Sequence, residues 1–329
     1  MSLRKANILT VPLDSQLDVA GFRHAGTSLR TLLGGVRIGA GVYEAYADQP
    51  IWPYHYHYGI EEWLYVISGA PVLREPSGRR TLSPGDFICF PAGPSGAHTL
   101  EGPGRFVLFS GPHTHEPPYM TAYPDSDKVS SPEGILLRSS AVGYWHGEGT
   151  GDASEHLEPR TAPPPSPPQP LVNVHKLEAV SIEGFNQPPG FLTREAQFGP
   201  TLGATKLGAT LYEVDAGERS VPYHYEWGRE EWTLVLTGTP TLRHPGGEDQ
   251  LERGDVVAFP DGPDGAHQMI NRGSQPSRLI MFSTKDDPTS IHYPDSGKIL
   301  IADPNGDTYM FRKSDEVDYW DGEADRPAQ

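Results

Sequence analysis

Residues 53–69, PYHYHYGIEEWLYVISG, recur at 222–238 as PYHYEWGREEWTLVLTG, with 10 of 17 positions identical. Residues 85–98, GDFICFPAGPSGAH, recur at 254–267 as GDVVAFPDGPDGAH, with 9 of 14 identical. Both pairs stand 169 residues apart without a gap. A period that long means a duplicated folding unit, not a solenoid of short repeats. The similarity continues upstream, where RIGAGVYEA (37–45) answers KLGATLYEV (206–214), and downstream, where YPDSDKV (123–129) answers YPDSGKI (293–299) and GYWHGE (143–148) answers DYWDGE (318–323). Between the copies lies EPRTAPPPSPPQP (158–170), with seven prolines in thirteen residues. Such a segment favours extended polyproline conformations and acts as a semi-rigid spacer. The sequence therefore predicts a domain over 1–157, a linker over 158–170 and a second domain over 171–329.

Each copy reads as short strands separated by turns. VRIGAGVYEAYA, EEWLYVISG, PVLREP, RRTLSPGD, FICFP and RFVLFSG are rich in β-branched and aromatic residues and bounded by Gly or Pro. With 37 Gly and 34 Pro in 329 residues, long helices have little room. Short helical turns are expected only near Asp14–Val19 and around Ser126–Ser130. Strands at this spacing predict an all-β sandwich or barrel in each half.

The net charge of −17 repels phosphate backbones and anionic bilayers, which argues against nucleic-acid and membrane partners. No apolar run approaches the ~18 residues of a membrane-spanning helix, and the first residues lack the apolar stretch of a signal peptide. A single cysteine, Cys89, cannot form an intrachain disulfide. These features point to the cytoplasm and leave a homo-oligomer open.

The histidines carry the chemistry. His55 and His57 are two apart on a strand and face one side. Glu62 lies five residues past His57 and would face away on a straight strand, but Gly59 can break the strand between them. His98 follows the turn-rich FPAGPSGAH. Three imidazoles and a carboxylate suit a divalent transition ion such as Fe, Mn, Ni, Cu or Zn. A lone loop histidine is usually a surface or hydrogen-bonded residue; it is the combination that points to a metal.

HYHYGIEEWLYVISG resembles the first motif of the cupin superfamily, H-x-H-(x)4-E-(x)6-G, and GDFICFPAGPSGAH is similar to the second, G-(x)5-P-x-G-(x)n-H, with extra residues before its histidine. Both motifs recur in the second copy, so the chain resembles a bicupin. The resemblance implies two tandem cupin barrels (jelly rolls, or double-stranded β-helices), each able to hold a metal in its mouth. It selects Glu62, separated from Gly69 by six residues, over Glu61, which is then expected to be solvated; likewise it selects Glu231 over Glu230. In the second copy His224, Glu231 and His267 occupy ligand positions, but Glu226 replaces the second histidine. Glu226 either coordinates, giving two imidazoles and two carboxylates, or marks a site that has lost its metal. The Asn usual after the last histidine is absent from the first copy, HTLEG (98–102) against HQMIN (267–271), a position read as structural.

Other residues fit plainer roles. His113 and His115 form another His-x-His but are expected in a solvated loop. Cys89, opposite Ala258, reads as a small buried filler. Trp63, Trp145, Trp232 and Trp320 read as core or edge packing. Among functions, a metal-dependent enzyme on a small organic substrate leads, most readily a dioxygenase-type oxidoreductase. The alternatives are a non-redox isomerase or lyase, with Glu61 or a mouth tyrosine as base, and a non-enzymatic small-molecule-binding bicupin.

Overall fold

The computed structural model describes residues 3–113, 120–142, 146, 166–181, 187–285, 289–303, 305 and 307–323. His115 and Trp145 lie outside them, as does most of the proline-rich segment. The described chain is built almost wholly from strands. It forms two β-barrels of jelly-roll type, each made of a seven-stranded, a four-stranded and a three-stranded sheet. Among the described residues no helix is long and apolar enough to cross a membrane.

In the first barrel the large sheet runs Leu171–Asn173, Asp86–Phe90, Glu61–Gly69, Gly104–Gly111, Gly39–Ala45, Phe22–Ser28 and Ser15–Val19. In the second it runs Lys5–Asn7, Asp255–Phe259, Glu231–Thr237, Ser277–Thr284, Leu207–Val214, Thr193–Gln197 and Val180–Ser181. The outermost strands are exchanged. Lys5–Asn7, at the start of the chain, pairs with Asp255–Phe259 of the second barrel, and Leu171–Asn173 pairs with Asp86–Phe90 of the first. Asp86–Phe90 and Asp255–Phe259, which would otherwise be edge strands, are thereby each covered by a strand from the opposite half of the chain.

Period-two alternation then decides what each strand residue does. On the strand Glu61–Gly69, Trp63 and Tyr65 face the partner barrel, while Leu64 and Val66 face their own interior with Leu73, Ile88 and Phe106. On Glu231–Thr237, Trp232 and Leu234 face the partner and Val235 faces inward with Leu242, Val257 and Leu279. The barrels are therefore cemented by one shared apolar layer in which Phe109 and Phe282 ring centroids lie 4.4 Å apart and Phe87 and Phe198 5.4 Å apart. Equivalent residues meet reciprocally, as a two-fold arrangement requires.

The structure corrects several local expectations. Ser15–Val19, expected as a helical turn, is a strand that pairs with Phe22–Ser28. The one α-helix among the described residues, Leu29–Leu33, went unforeseen. Ser28 caps it by accepting from Thr31 N, and Gly34 ends it in the left-handed conformation. Trp63 and Trp232 are fully buried, but Trp320 is exposed. Glu61 and Glu230 are buried rather than solvated, because they share the partner-facing side of their strands.

Candidate metal centres

The same alternation that turns Glu61 outward turns Glu62 into the barrel. Gly59, at φ +89°, reverses the chain between the strand Tyr56–Tyr58 and the strand bearing Glu62. A left-handed residue there is what brings His57 and Glu62 to one face, with Nε2 and Oε2 3.0 Å apart. Gly228 plays the same part in the second barrel at φ +85°.

His55 and His98 come from different segments but are locked as cross-strand neighbours. His98 N donates to His55 O at 2.8 Å and His55 N donates to His98 O at 3.1 Å. Their Nε2 atoms lie 3.7 Å (His55) and 3.4 Å (His98) from Glu62 Oε2. His224 and His267 repeat the arrangement, with Nε2 atoms 3.8 and 3.5 Å from Glu231 Oε2. Phe90 stacks on His98 at 3.8 Å between centroids, and Phe259 on His267 at 3.9 Å. Each ring is thus fixed by packing as well as by backbone.

Hydrogen bonds also set the tautomers. Nδ1 lies 2.9 Å from a backbone carbonyl in each case: Pro53 for His55, Gly96 for His98, Pro222 for His224 and Gly265 for His267. A carbonyl only accepts, so Nδ1 carries the proton and Nε2 presents its lone pair to the barrel interior. His57 is supported instead by a side chain, its Nδ1 lying 2.9 Å from Thr121 Oγ1.

These features meet the demands of a divalent transition ion. Ligand atoms at ~2.0–2.2 Å from such an ion stand about 3–3.5 Å from one another, close to the spacings around Glu62 and Glu231. One ligand atom each from His55, Glu62 and His98 falls within 4.8 Å of the other two, and the same holds for His224, Glu231 and His267. His98 Nε2 is buried without a hydrogen-bond partner among the described residues, as a lone pair reserved for a cation would be. Both barrels therefore carry a His/Glu/His group fit for a divalent transition metal. His57 joins the first group through Glu62.

The two groups differ electrostatically. Burial opposes ionisation of Glu62, but the neighbouring histidines, His57 first among them, outweigh it and hold the carboxyl well below its usual range. Burial, and then the neighbouring imidazole of His55, push His98 down to about 3, so it stays neutral and able to ligate. In the second barrel burial and the nearby charge of Glu226 drive Glu231 well above the carboxylate range, against a smaller pull from Arg229. Glu226 is itself raised by burial. Its Oε2 makes no hydrogen bond among the described residues and lies 3.7 Å from Arg229 Nη1.

The support for position 226 has changed with the residue. His57 pairs across strands with Thr121, whereas Glu226 pairs with Ile291. An isoleucine cannot orient an imidazole, so the second barrel lacks both the histidine and its hydrogen-bond partner. Sequence reasoning found the first exchange and missed the second, because Thr121 and Ile291 belong to no motif.

The remaining candidates settle plainly. His113 is buried, not solvated: its Nε2 lies 3.0 Å from Ser110 Oγ, and burial with the Arg30 charge pushes it down to about 4. Cys89 is a buried filler whose thiol is raised by burial and by Glu61. Asn271 donates to the carbonyls of Val214 and Gln275, a backbone-fixing role outside the metal group.

The sequence matches the family described as Cupin domain twice, over residues 45–116 and 210–283. Among solved structures, the oxalate decarboxylase of Bacillus subtilis is similar over 90% of this chain and 79% of its own, at 15% identity and a TM-score of 0.50. A sugar phosphate isomerase from Silicibacter pomeroyi is 24% identical over 46% of this chain and 97% of its own, with a TM-score of 0.39. No curated protein matches the chain.

Proposed function

This chain is a bicupin, a member of the cupin superfamily with one such domain in each half, and we propose that it acts as a metal-dependent enzyme on a small organic substrate. The observation that carries the reading is the convergence of preset imidazole lone pairs on an inward-facing carboxylate in each barrel. In the first barrel His55, His57, Glu62 and His98 hold the ion. In the second, His224, Glu231 and His267 hold it, with Glu226 alongside.

Within this class we place the protein with oxygenases of the dioxygenase type. His55, His57, Glu62 and His98 would hold a six-coordinate ion through four ligands, leaving two positions for reactants. When bound, a divalent transition ion supplies Lewis acidity and, if redox-active, a route for electrons between an organic molecule and O2. The chain supplies the rest. Backbone carbonyls hold the imidazoles of His55, His98, His224 and His267 in one tautomer, and Glu62 provides charge without needing to lose a proton. In the second barrel burial, and after it the charges of Glu195, Glu231 and Glu226, keep the Tyr212 phenol protonated. Its hydroxyl is therefore a hydrogen-bond donor at the cavity wall.

A non-redox isomerase or lyase is the second reading, favoured by the Glu226–Glu231 pair, which offers a carboxyl able to exchange a proton beside the metal group. Elemental analysis of protein purified without chelator, followed by O2-uptake screens with that metal, tests both. Metal-dependent O2 consumption that is lost in His57→Ala or His224→Ala supports the oxygenase. Turnover that proceeds without O2 supports the second reading, and a chain that takes up no divalent ion rejects both.

A further inference from the structure

Each barrel has an outer chamber at the same place in the repeat. In the second barrel its volume is about 480 Å3, bounded by Phe191, Tyr223, Gln268 and Lys298. In the first it is about 310 Å3, bounded by the equivalent Phe22, Tyr54, Thr99 and Lys128. The same clamp borders both: Arg243 grips Asp295 with two hydrogen bonds, and Arg74 grips Asp125.

The inner walls differ. In the second barrel Tyr212, Ser220, Val221 and Tyr293 line the outer chamber and also the inner cavity of about 190 Å3 that contains His224, Glu226, Glu231 and His267. Four shared wall residues make the two spaces immediate neighbours, divided in part by side chains as small as serine and valine. The first barrel has Ile51 and Trp52 in place of Ser220 and Val221, and His24 in place of Thr193. There Trp52 packs edge-on against Tyr43 and His24, with centroids 5.1 and 5.2 Å away, and stands 6.1 Å from the His55 ring. An aromatic cluster thus stands, in the first barrel, where small side chains divide the two spaces in the second.

We propose that the second barrel is the substrate-binding one: a flat, ring-bearing molecule lies in its outer chamber and passes its reactive edge by Val221 to the metal group, while Trp52 closes the first group to such molecules. The substrate class follows from the walls. Phe191, Tyr212, Tyr223 and Tyr293 give the chamber aromatic walls suited to a planar molecule, and Gln268 and Lys298 add polar groups for its substituents. A chamber of this size suits a small organic ligand. Ligand strength and substrate access are then divided between barrels, with the three-histidine group behind Trp52 and the reacting group behind Val221. The barrel with the fuller ligand set is then not the one that meets the substrate. The inference rests on the metal-enzyme reading above for what happens at the inner end of the chamber.

The test uses the full metal-loaded chain and 4-nitrocatechol, a flat chelating ring whose absorption shifts on coordination. Wild type is expected to bind one equivalent. Val221→Trp should weaken binding at least tenfold at unchanged metal content. Trp52→Val should add a second equivalent, and His57→Ala should leave the first in place. Unchanged affinity in a folded Val221→Trp overturns the proposal, as does loss of binding in His57→Ala. If Val221→Trp loses its fold or metal, Trp52→Val decides alone: a second equivalent supports the proposal and none overturns it. Elemental analysis of the same samples separates this from failure of the enzyme reading. Metal-loaded protein with binding indifferent to residues 52 and 221 sinks only the chamber assignment, whereas protein that takes up neither metal nor 4-nitrocatechol sinks both.

Discussion

Glu61 and Glu230, one repeat apart, each cross the barrel interface to bind the backbone of the other's domain. Glu61 accepts from the N–H groups of Thr205, Lys206 and Leu207 and from Thr205 Oγ1. Glu230 accepts from the N–H groups of Val36, Arg37 and Ile38 and from Trp232 Nε1. The donor stretches, 36–38 and 205–207, are themselves one repeat apart. These carboxylates sit next in sequence to Glu62 and Glu231, so one dipeptide supplies both a barrel staple and an inward carboxylate.

The first prediction follows. Glu61→Ala leaves four donors without their acceptor, three of them only part-buried, at a cost of about 1–3 kcal/mol each in the worst case. With relaxation, a total loss of about 3 kcal/mol, or some 6–12 °C in Tm, is expected. Glu230→Ala should behave alike. Metal content of the folded protein should be unchanged, since neither side chain faces the metal groups. Thermal melts with elemental analysis check this; normal stability with lost activity in Glu61→Ala would instead make Glu61 the base that its sequence position allows.

A second prediction concerns the exchanged strands. Asn7 Nδ2 donates to Arg253 O and to Asp255 Oδ1. Asn173 Nδ2 donates to Pro84 O and to Asp86 Oδ1. Each asparagine fastens its strand to the opposite barrel through a buried aspartate. Asn7→Ala and Asn173→Ala should therefore lower stability by similar amounts, about 1–3 kcal/mol, measured by denaturant unfolding. A loss in one and none in the other would show that the exchange matters on one side only.

Much of this was legible in the sequence, for reasons that can be named. The repeat shows in letters, strands such as Glu61–Gly69 carry the β signature, and the H-x-H spacing with Gly59 announces the turn that gathers His57 and Glu62. The exchanged strands were not legible: Lys5–Asn7 and Leu171–Asn173 are three residues each, too short for a periodic pattern, and their partners lie far along the chain. Glu61 looked solvated because its partners are backbone amides about 145 residues away. Ser15–Val19 looked like a turn because its strand character comes from its neighbour, Phe22–Ser28. The contrast between Trp52 and Val221 is visible as two letters, but only the barrel shows that both stand between an outer chamber and a metal group.

Thr121 yields the third prediction. Its hydroxyl is the contact that orients His57 from behind, and such supporting hydrogen bonds are worth ~10–100-fold in metal affinity. Thr121→Val, nearly the same shape, should weaken metal binding in the first barrel by that factor and leave the second untouched. Competition against a chelator in wild type and variant measures it. Thr121→Ser, which keeps the hydroxyl, should restore most of the affinity. Equal affinities in all three would mean that packing alone places the His57 ring.

The last prediction asks whether the second barrel can be given the first barrel's ligand set. Glu226→His alone supplies the imidazole but sets it opposite Ile291, which cannot hold its Nδ1–H. It also removes the charge that helps drive Glu231 above its usual range, so less proton competition remains at Glu231 when an ion arrives. The single substitution should therefore raise transition-metal affinity in the second barrel. Against that gain, Arg229 loses its carboxylate neighbour at 3.7 Å and is left close to a second nitrogen base. Adding Ile291→Thr rebuilds the Thr121–His57 contact and should raise affinity by a further factor of about 10 or more. Metal titration of the chelated wild type, Glu226→His and Glu226→His/Ile291→Thr gives the order directly. If the double variant binds no better than the single, the threonine is not what organises the ligand. If Glu226→His binds more weakly than wild type, then Glu226 is itself a working ligand, and the two-carboxylate group is the one the second barrel needs.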